Sequence, residues 1–240
     1  MSFGKVVLEY GYDVHTPRFS PDGKSVAATT FEGPKVWDIA TGNEIAKRPS
    51  GGASGFHNLA FSPDGHYVVA TLHKSNTPQD SSALVWEPST GNVITEFKGH
   101  KKLVLGAQFS PDGSRIVTAS EDQTAQVWET ATGKVIATLT GHTAGVNSAQ
   151  FSPDGKWVVT ASADQTARVW EAATGRLIAT LTGHTDNVYS AVFSPDGKYI
   201  VTASRDNTAR VWDAATGKLV TELQGHTGPV NAAAFSPDLR

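Results

Sequence analysis

Residues 141–182, GHTAGVNSAQFSPDGKWVVTASADQTARVWEAATGRLIATLT, and residues 183–224, GHTDNVYSAVFSPDGKYIVTASRDNTARVWDAATGKLVTELQ, decide the fold because they are two copies of one unit. Only 14 of the 42 aligned positions differ. Outward from this pair, Phe-Ser-Pro-Asp-Gly begins at Phe19, Phe61, Phe109, Phe151 and Phe193, and a shortened sixth copy begins at Phe235. The spacings are 42, 48, 42, 42 and 42 residues. Val-Trp recurs at Trp37, Trp86, Trp128, Trp170 and Trp212, each time followed by a small-Thr-Gly turn such as Ala131-Thr132-Gly133. Gly-His recurs at His100, His142, His184 and His226. A fixed period of this length marks stacked supersecondary units.

Inside one unit the pattern is all-β. VNSAQF, WVVTAS, TARVWE and RLIATL are short runs rich in Val, Ile, Thr and aromatics, separated by SPDG, ADQ and AATG. Such runs, broken by turn residues every 8–12 positions, predict four strands per unit. In Ser-Pro-Asp-Gly, Pro presets φ and Gly accepts a positive φ, as a tight turn requires. No window keeps apolar residues at helical spacing for three turns. Ala107, Ala149, Ala191 and Ala233 recur in the first strand of their units. Small side chains there suit sheets that converge on one axis rather than a flat row.

Composition narrows the function classes. The 240 residues carry 20 Lys+Arg against 23 Asp+Glu, a net charge of −3, so no overall field draws the chain to nucleic acid or an anionic membrane. Gly and Pro make up about 15% of the chain, as a turn-rich fold demands. With zero Cys, disulfides, thiolate metal sites and Cys nucleophiles are excluded. No apolar run approaches the roughly 18–20 residues of a membrane span, and the first dozen residues lack a signal-peptide core, so a cytoplasmic location is expected.

A unit of about 42 residues with Gly-His near its start, Ser-Pro-Asp-Gly in the middle and Val-Trp-Asp/Glu near its end resembles the WD-repeat β-propeller family. The resemblance implies a single domain over 1–240, with five four-stranded blades at about 13–50, 55–98, 103–140, 145–182 and 187–224. A partial sixth blade would follow at 229–240, its innermost strand from Val230 to Phe235. Lys5–Tyr10 would be an outer strand of that same closing blade, whose two middle strands are missing. Unpaired edges of that kind invite self-association. The resemblance also implies a non-catalytic platform that binds a protein or peptide, with no cofactor, metal, nucleic acid or membrane partner.

Carried across by motif, the family's structural tetrad falls on His100, Thr118, Asp122 and Trp128, on His142, Thr160, Asp164 and Trp170, and on His184, Thr202, Asp206 and Trp212. One indole donor, a hydroxyl, an imidazole and an acceptor carboxylate can link into a closed chain. The same residue types mimic a hydrolase triad, but a device repeated in three units at one spacing reads as structural. The Gly-His histidines fall one per blade, too far apart to share one ion at about 2 Å.

The first two units depart from the pattern. Blade 1 has Gly11-Tyr12-Asp13 in place of Gly-His and no Asp six residues before Trp37. Blade 2 has Gly51-Gly52 there, keeps Thr71, Asp80 and Trp86, and carries six extra residues within 73–82. These two blades are expected to rest on apolar packing and to open first. The insertion reads as a polar surface loop or as a partner-contacting finger.

A partner-binding rim is expected where the near-identical units differ, on the d–a and b–c loops. Its candidates are His15, His57, Leu105, Glu121, Asn147, Asn187, Tyr189, Arg205 and Asn231. Tyr and Arg are the anchors that dominate interfaces. Drift at solvated positions is the competing reading. Two other function classes stay open. One is a structural fragment of a larger repeat protein with no dedicated ligand, and the other is an enzyme with a channel-mouth site built on His57 beside the insertion.

Overall fold

The computed structural model describes residues 15–30, 33–47, 55–74 and 77–236, which form twenty strands and no helix. Blade 1 contains β1 (His15–Phe19), β2 (Ser25–Thr30), β3 (Gly33–Asp38) and β4 (Glu44–Lys47). Blade 2 contains β5 (Gly55–Phe61), β6 (Val68–Lys74), β7 (Thr77–Trp86) and β8 (Val93–Phe97). Blade 3 contains β9 (Val104–Phe109), β10 (Arg115–Ser120), β11 (Ala125–Glu129) and β12 (Val135–Leu139). Blade 4 contains β13 (Val146–Phe151), β14 (Trp157–Ser162), β15 (Thr166–Glu171) and β16 (Leu177–Thr182). Blade 5 contains β17 (Val188–Phe193), β18 (Tyr199–Ser204), β19 (Ala209–Asp213) and β20 (Leu219–Leu223).

Each blade is one antiparallel sheet whose strands pair in sequence order, a to d. Antiparallel order puts the a–b and c–d turns at one end of every blade and the b–c and d–a connections at the other. The first strands of successive blades pack on one another in chain order, β1 on β5, β5 on β9, β9 on β13 and β13 on β17. That is the β-propeller architecture expected from the repeat.

The turns explain the motif. Ser152 N–H donates to the Trp157 carbonyl, and its hydroxyl accepts from Trp157 N–H at 3.0 Å and donates to Asp154 Oδ1 at 2.7 Å. Gly155 closes the turn at φ 69°, where a side chain is strained. A Cβ on Gly155 would stand 3.7 Å from Pro111, and one on Gly197 3.7 Å from Pro153, so each turn rests on the Pro of the preceding blade.

Packing follows from the two-residue period of the strands. Val159, Val169 and Leu181 on one face of blade 4 meet Phe193, Ile200 and Trp212 on the facing side of blade 5. Val117, Val127 and Leu139 of blade 3 meet Phe151, Val158 and Trp170 of blade 4 in the same way. Middle strands are therefore buried on both faces, and WVVTAS and YIVTAS read as unbroken apolar-small runs rather than alternating ones. Burying one such side chain stabilises by about 1.5–3 kcal/mol, so these seams carry most of the folding energy.

Two expectations need correction. The insertion in blade 2 is not a loose loop over 73–82. It lengthens the b–c hairpin, with Lys74 registered against Thr77 and Leu72 against Ser82, so that β7 runs ten residues. Polar residues can continue a ladder because its bonds are backbone bonds. The innermost strand expected at Val230–Phe235 also does not form, since no described residue after Leu223 is in a strand. Val230 N–H donates to the Ser204 carbonyl at 3.0 Å, and Val230 packs on Ala203 and Ala209. The segment thus lies against blade 5, with no described strand beside it to form a ladder. The outer strand expected at Lys5–Tyr10 lies outside the described residues.

Candidate functional site

Three blades carry the same buried polar chain. In blade 4, Trp170 Nε1 donates to Thr160 Oγ1 at 2.9 Å, Thr160 Oγ1 lies 2.7 Å from His142 Nε2, and His142 Nδ1 lies 2.7 Å from Asp164 Oδ2. Donor arithmetic sets the roles. The indole only donates and the carboxylate only accepts, so the hydroxyl donates to Nε2 and the Nδ1–H donates to Asp164. Blade 3 repeats this chain through Trp128, Thr118, His100 and Asp122 at 2.8, 2.7 and 2.8 Å. Blade 5 repeats it through Trp212, Thr202, His184 and Asp206 at 2.9, 2.7 and 2.7 Å.

The carboxylates are held from both sides. Asp164 Oδ2 also accepts from Thr143 N–H, while Oδ1 accepts from Thr166 N–H at 3.0 Å and Thr166 Oγ1 at 2.6 Å. Burial pushes the Asp164 carboxyl up, but hydrogen bonds from Thr166 and His142 outweigh it and hold it below the usual carboxylate range. At Asp122 burial is opposed by bonds from His100, Thr124 and Lys101 N–H, and at Asp206 by bonds from Thr208, His184 and Thr185 N–H, again with a net lowering. His142 and His184 are pushed below 6.5 by burial, which their Asp partners only partly offset. The Gly before His has its own cause. A Cβ on Gly141 would sit 2.6 Å from Arg168 and 3.5 Å from the Trp170 ring, at φ 145°.

Sequence reading missed the auxiliary members of this network, Thr124, Thr166 and Thr208, and the serines Ser120, Ser162 and Ser204 that accept from the Asp N–H groups. The signal was present as Ser-x-Asp-x-Thr at constant spacing. Blade 2 departs further than expected, because in register Ala70, not Thr71, stands where blades 3 and 4 have the chain's threonine. Thr71 Oγ1 accepts from Asn58 N–H at 3.0 Å, and Trp86 Nε1, fully buried, has no partner. The Asp80 side chain lies outside the described residues.

The candidate rim separates into distinct groups. Leu105, Asn147 and Tyr189 are the second residues of β9, β13 and β17, half-buried at equivalent positions on the end of the propeller that bears the b–c turns. Asn147 Nδ2 donates to the Val188 carbonyl at 2.8 Å, which commits that amide to joining blades 4 and 5. Arg205 is exposed, its Nε 3.8 Å from Asp186 Oδ2, and its N–H donates to the Asn187 carbonyl at 2.9 Å. Glu121 is exposed and backs onto Gly145 of the next blade, so the rim runs on from blade 3 to blade 4. Asn231 is exposed in the segment after β20. The side chains of His15 and His57 lie outside the described residues.

A cavity of about 410 Å³ occupies the opposite end, bounded by Arg18, Phe61, Phe109, Gln108, Gln150 and Phe151. Arg18, Ala60, Gln108, Gln150, Val192 and Ala234 each precede the Phe of their unit and so vary at one register position. That variation was legible in the repeats, but a lone position before a turn motif gave no hint that it lines a mouth. Among the described residues no group of three His, Asp or Glu side chains could hold a metal ion.

Five sequential four-stranded blades, three of them with a polar chain sealed inside, define a β-propeller repeat domain. Compared with known families, residues 4–239 match the TolB beta propeller domain (PD40), and the chain belongs to that family.

Proposed function

We propose that this propeller is a non-catalytic platform of WD-repeat type that binds a protein or peptide across the b–c and d–a rim, with Leu105, Tyr189, Glu121 and Arg205 as its contact residues. One observation carries the reading. The groups that look like acid–base machinery are sealed inside the blades, with the side chains of His100, His142 and His184 at most 1% exposed, and each is satisfied by Thr and Asp of its own blade. On the b–c and d–a rim, the units differ at partly or fully exposed positions such as Asn147/Tyr189 and Ala163/Arg205. An apolar Leu105, an amphipathic Tyr189 and a charged Arg205 provide the mixture that recognition surfaces use. The WD-type reading rests on the Trp–Thr–His–Asp chain, which blades 3, 4 and 5 share.

Selection of a displayed random peptide library on the full chain tests the proposal. Enriched peptides should lose at least about tenfold in affinity against the Tyr189→Ala/Arg205→Ala variant, the loss typical of one anchor. They should keep it against Gln108→Ala/Arg18→Ala at the other mouth. Peptides that respond only to the second pair would move the site to the a–b end. A hydrolase screen with activity removed by His57→Ala would replace the platform with an enzyme.

A further inference from the structure

One position in strand c, two residues before the Trp, sets the blades apart. It holds Lys35 in blade 1, Leu84 in blade 2, Gln126 in blade 3, Arg168 in blade 4 and Arg210 in blade 5. In blade 5, Arg210 is registered against Glu222 of strand d, and its Nη2 lies 2.8 Å from Glu222 Oε2. In blade 1, Lys35 has Glu44 of its own blade at 3.3 Å. In blade 4 the register sets Arg168 against Thr180, and among the described residues no carboxylate lies within ion-pair distance of it. Of the three blades with a cation at this position, blade 4 is the one whose strands c and d supply no counter-ion.

The guanidinium is nonetheless held in place. Its Cζ sits 6.0 Å from the Trp170 ring centre, a cation–π distance, and a Cβ on Gly141 would stand 2.6 Å from its Nη1, so it lies close over that glycine. Arg168 Nε is buried without a partner, while Arg168 and Thr180 as whole residues are half-buried and still reach solvent. A charge partly withdrawn from water attracts an anion more strongly than a fully solvated one. The excess charge is also felt inward. Burial holds the His142 imidazole low and Arg168 adds to that, whereas at His184 the Glu222 carboxylate opposes Arg210. A fixed planar fork of N–H donors matches a carboxylate in two places at once.

We infer that Arg168, lying between Gly141 and Thr180, is a docking site for a carboxylate side chain of an acidic peptide segment, which takes the place that Glu222 fills in blade 5. The site stands apart from the loop rim, because strands c and d of blade 4 and the glycine of the preceding connection build it. Neither surface requires the other.

Arginine Nε–H resonances of the full chain, recorded by NMR, report the site directly. Acetyl-Glu-Ser-Glu-Ser-Glu-amide should move the Arg168 signal with a dissociation constant below about 1 mM, and the same peptide with Gln for Glu should not. Thr180→Glu supplies the carboxylate from within the blade and should weaken the acidic peptide at least about tenfold. Arg168→Gln, which copies the Gln126–Thr138 pair of blade 3, should remove binding as read from the peptide's own signals. Glu222→Thr should release Arg210 and add a second arginine signal that responds to the peptide. Each of these variants reproduces a pair that another blade already carries, so the fold is retained. An Arg168 signal unmoved by the acidic peptide, moved equally by the Gln peptide, or indifferent to Thr180→Glu would overturn the inference. Saturation by inorganic phosphate but not by the peptide would overturn it as well.

Discussion

Trp86 in blade 2 and Trp170 in blade 4 occupy the same place in their blades, and both are buried to 1% exposure or less. Trp170 donates to Thr160 and stands at the end of a four-residue chain, whereas the Trp86 indole has no partner. Both blades nonetheless form complete four-stranded sheets. The difference teaches that apolar seams build a blade, while the polar chain secures one already built. A buried donor without an acceptor costs about 1–3 kcal/mol, which a seam of several fully buried side chains can absorb.

The largest expected effect tests the seam itself. Leu181→Ala should cost about 2–5 kcal/mol as a cavity between blades 4 and 5, against less than about 1 kcal/mol for the exposed Leu223→Ala, in urea unfolding. Equal losses would show that the last seam is not what holds blade 5. Next, Thr160→Val removes the hydroxyl that serves both Trp170 and His142 and should cost about 2–3 kcal/mol, while Thr71→Val strands only the Asn58 N–H and should cost about 1 kcal/mol. Trp170→Phe should likewise exceed Trp86→Phe by about 1 kcal/mol, because only the first breaks a bond. Parity between these two would mean that the chain contributes nothing net.

Acidification separates the blades without mutation. The folded pKa values of His142 and His184 lie below 6.5, so the unfolded chain takes up protons first and blades 4 and 5 lose stability as pH falls through about 6.5. Asp122, Asp164 and Asp206 are depressed below 3.8, so their contribution is intact above about pH 4 and is lost below it. Amide exchange followed from pH 7 to 5 should show protection falling in blades 4 and 5, with blade 2, which lacks the histidine, unchanged over that interval. The smallest expected effect concerns the b–c turns, where Gln123, Gln165 and Asn207 adopt φ of 69–73°. Asn tolerates this region better than Gln, so Gln165→Asn should stabilise by no more than about 0.5 kcal/mol in thermal unfolding.

Much of this was legible beforehand for a particular reason. Five near-copies of one unit let each strand and turn be read several times, and Ser-Pro-Asp-Gly or Val-Trp means the same local geometry wherever it stands. The residues of the polar chain were legible through the resemblance to the WD-repeat family, whose motif positions fall on His, Thr, Asp and Trp here, types that can satisfy one another. The hydrogen bond from Asn58 N–H to Thr71 was not, because Thr71 stands one register position beyond the place of Thr118 and Thr160. Nor was the hairpin formed by the extra residues of blade 2, whose polar composition reads as a loop while its backbone continues the ladder.

By itself, then, the order of residues determined the repeat, the four-stranded unit and its turns, and through the family resemblance it pointed to the internal polar chain, because these depend on contacts within about 40 positions along the chain. Tertiary structure alone decided which faces are sealed, that Asn147 ties one blade to the next, and that residues 229–236 lie on blade 5 without forming a strand. Those features depend on whether a neighbour stands opposite. Leu181 and Leu223 are the same residue in the same motif, yet one is buried by the next blade and the other faces solvent.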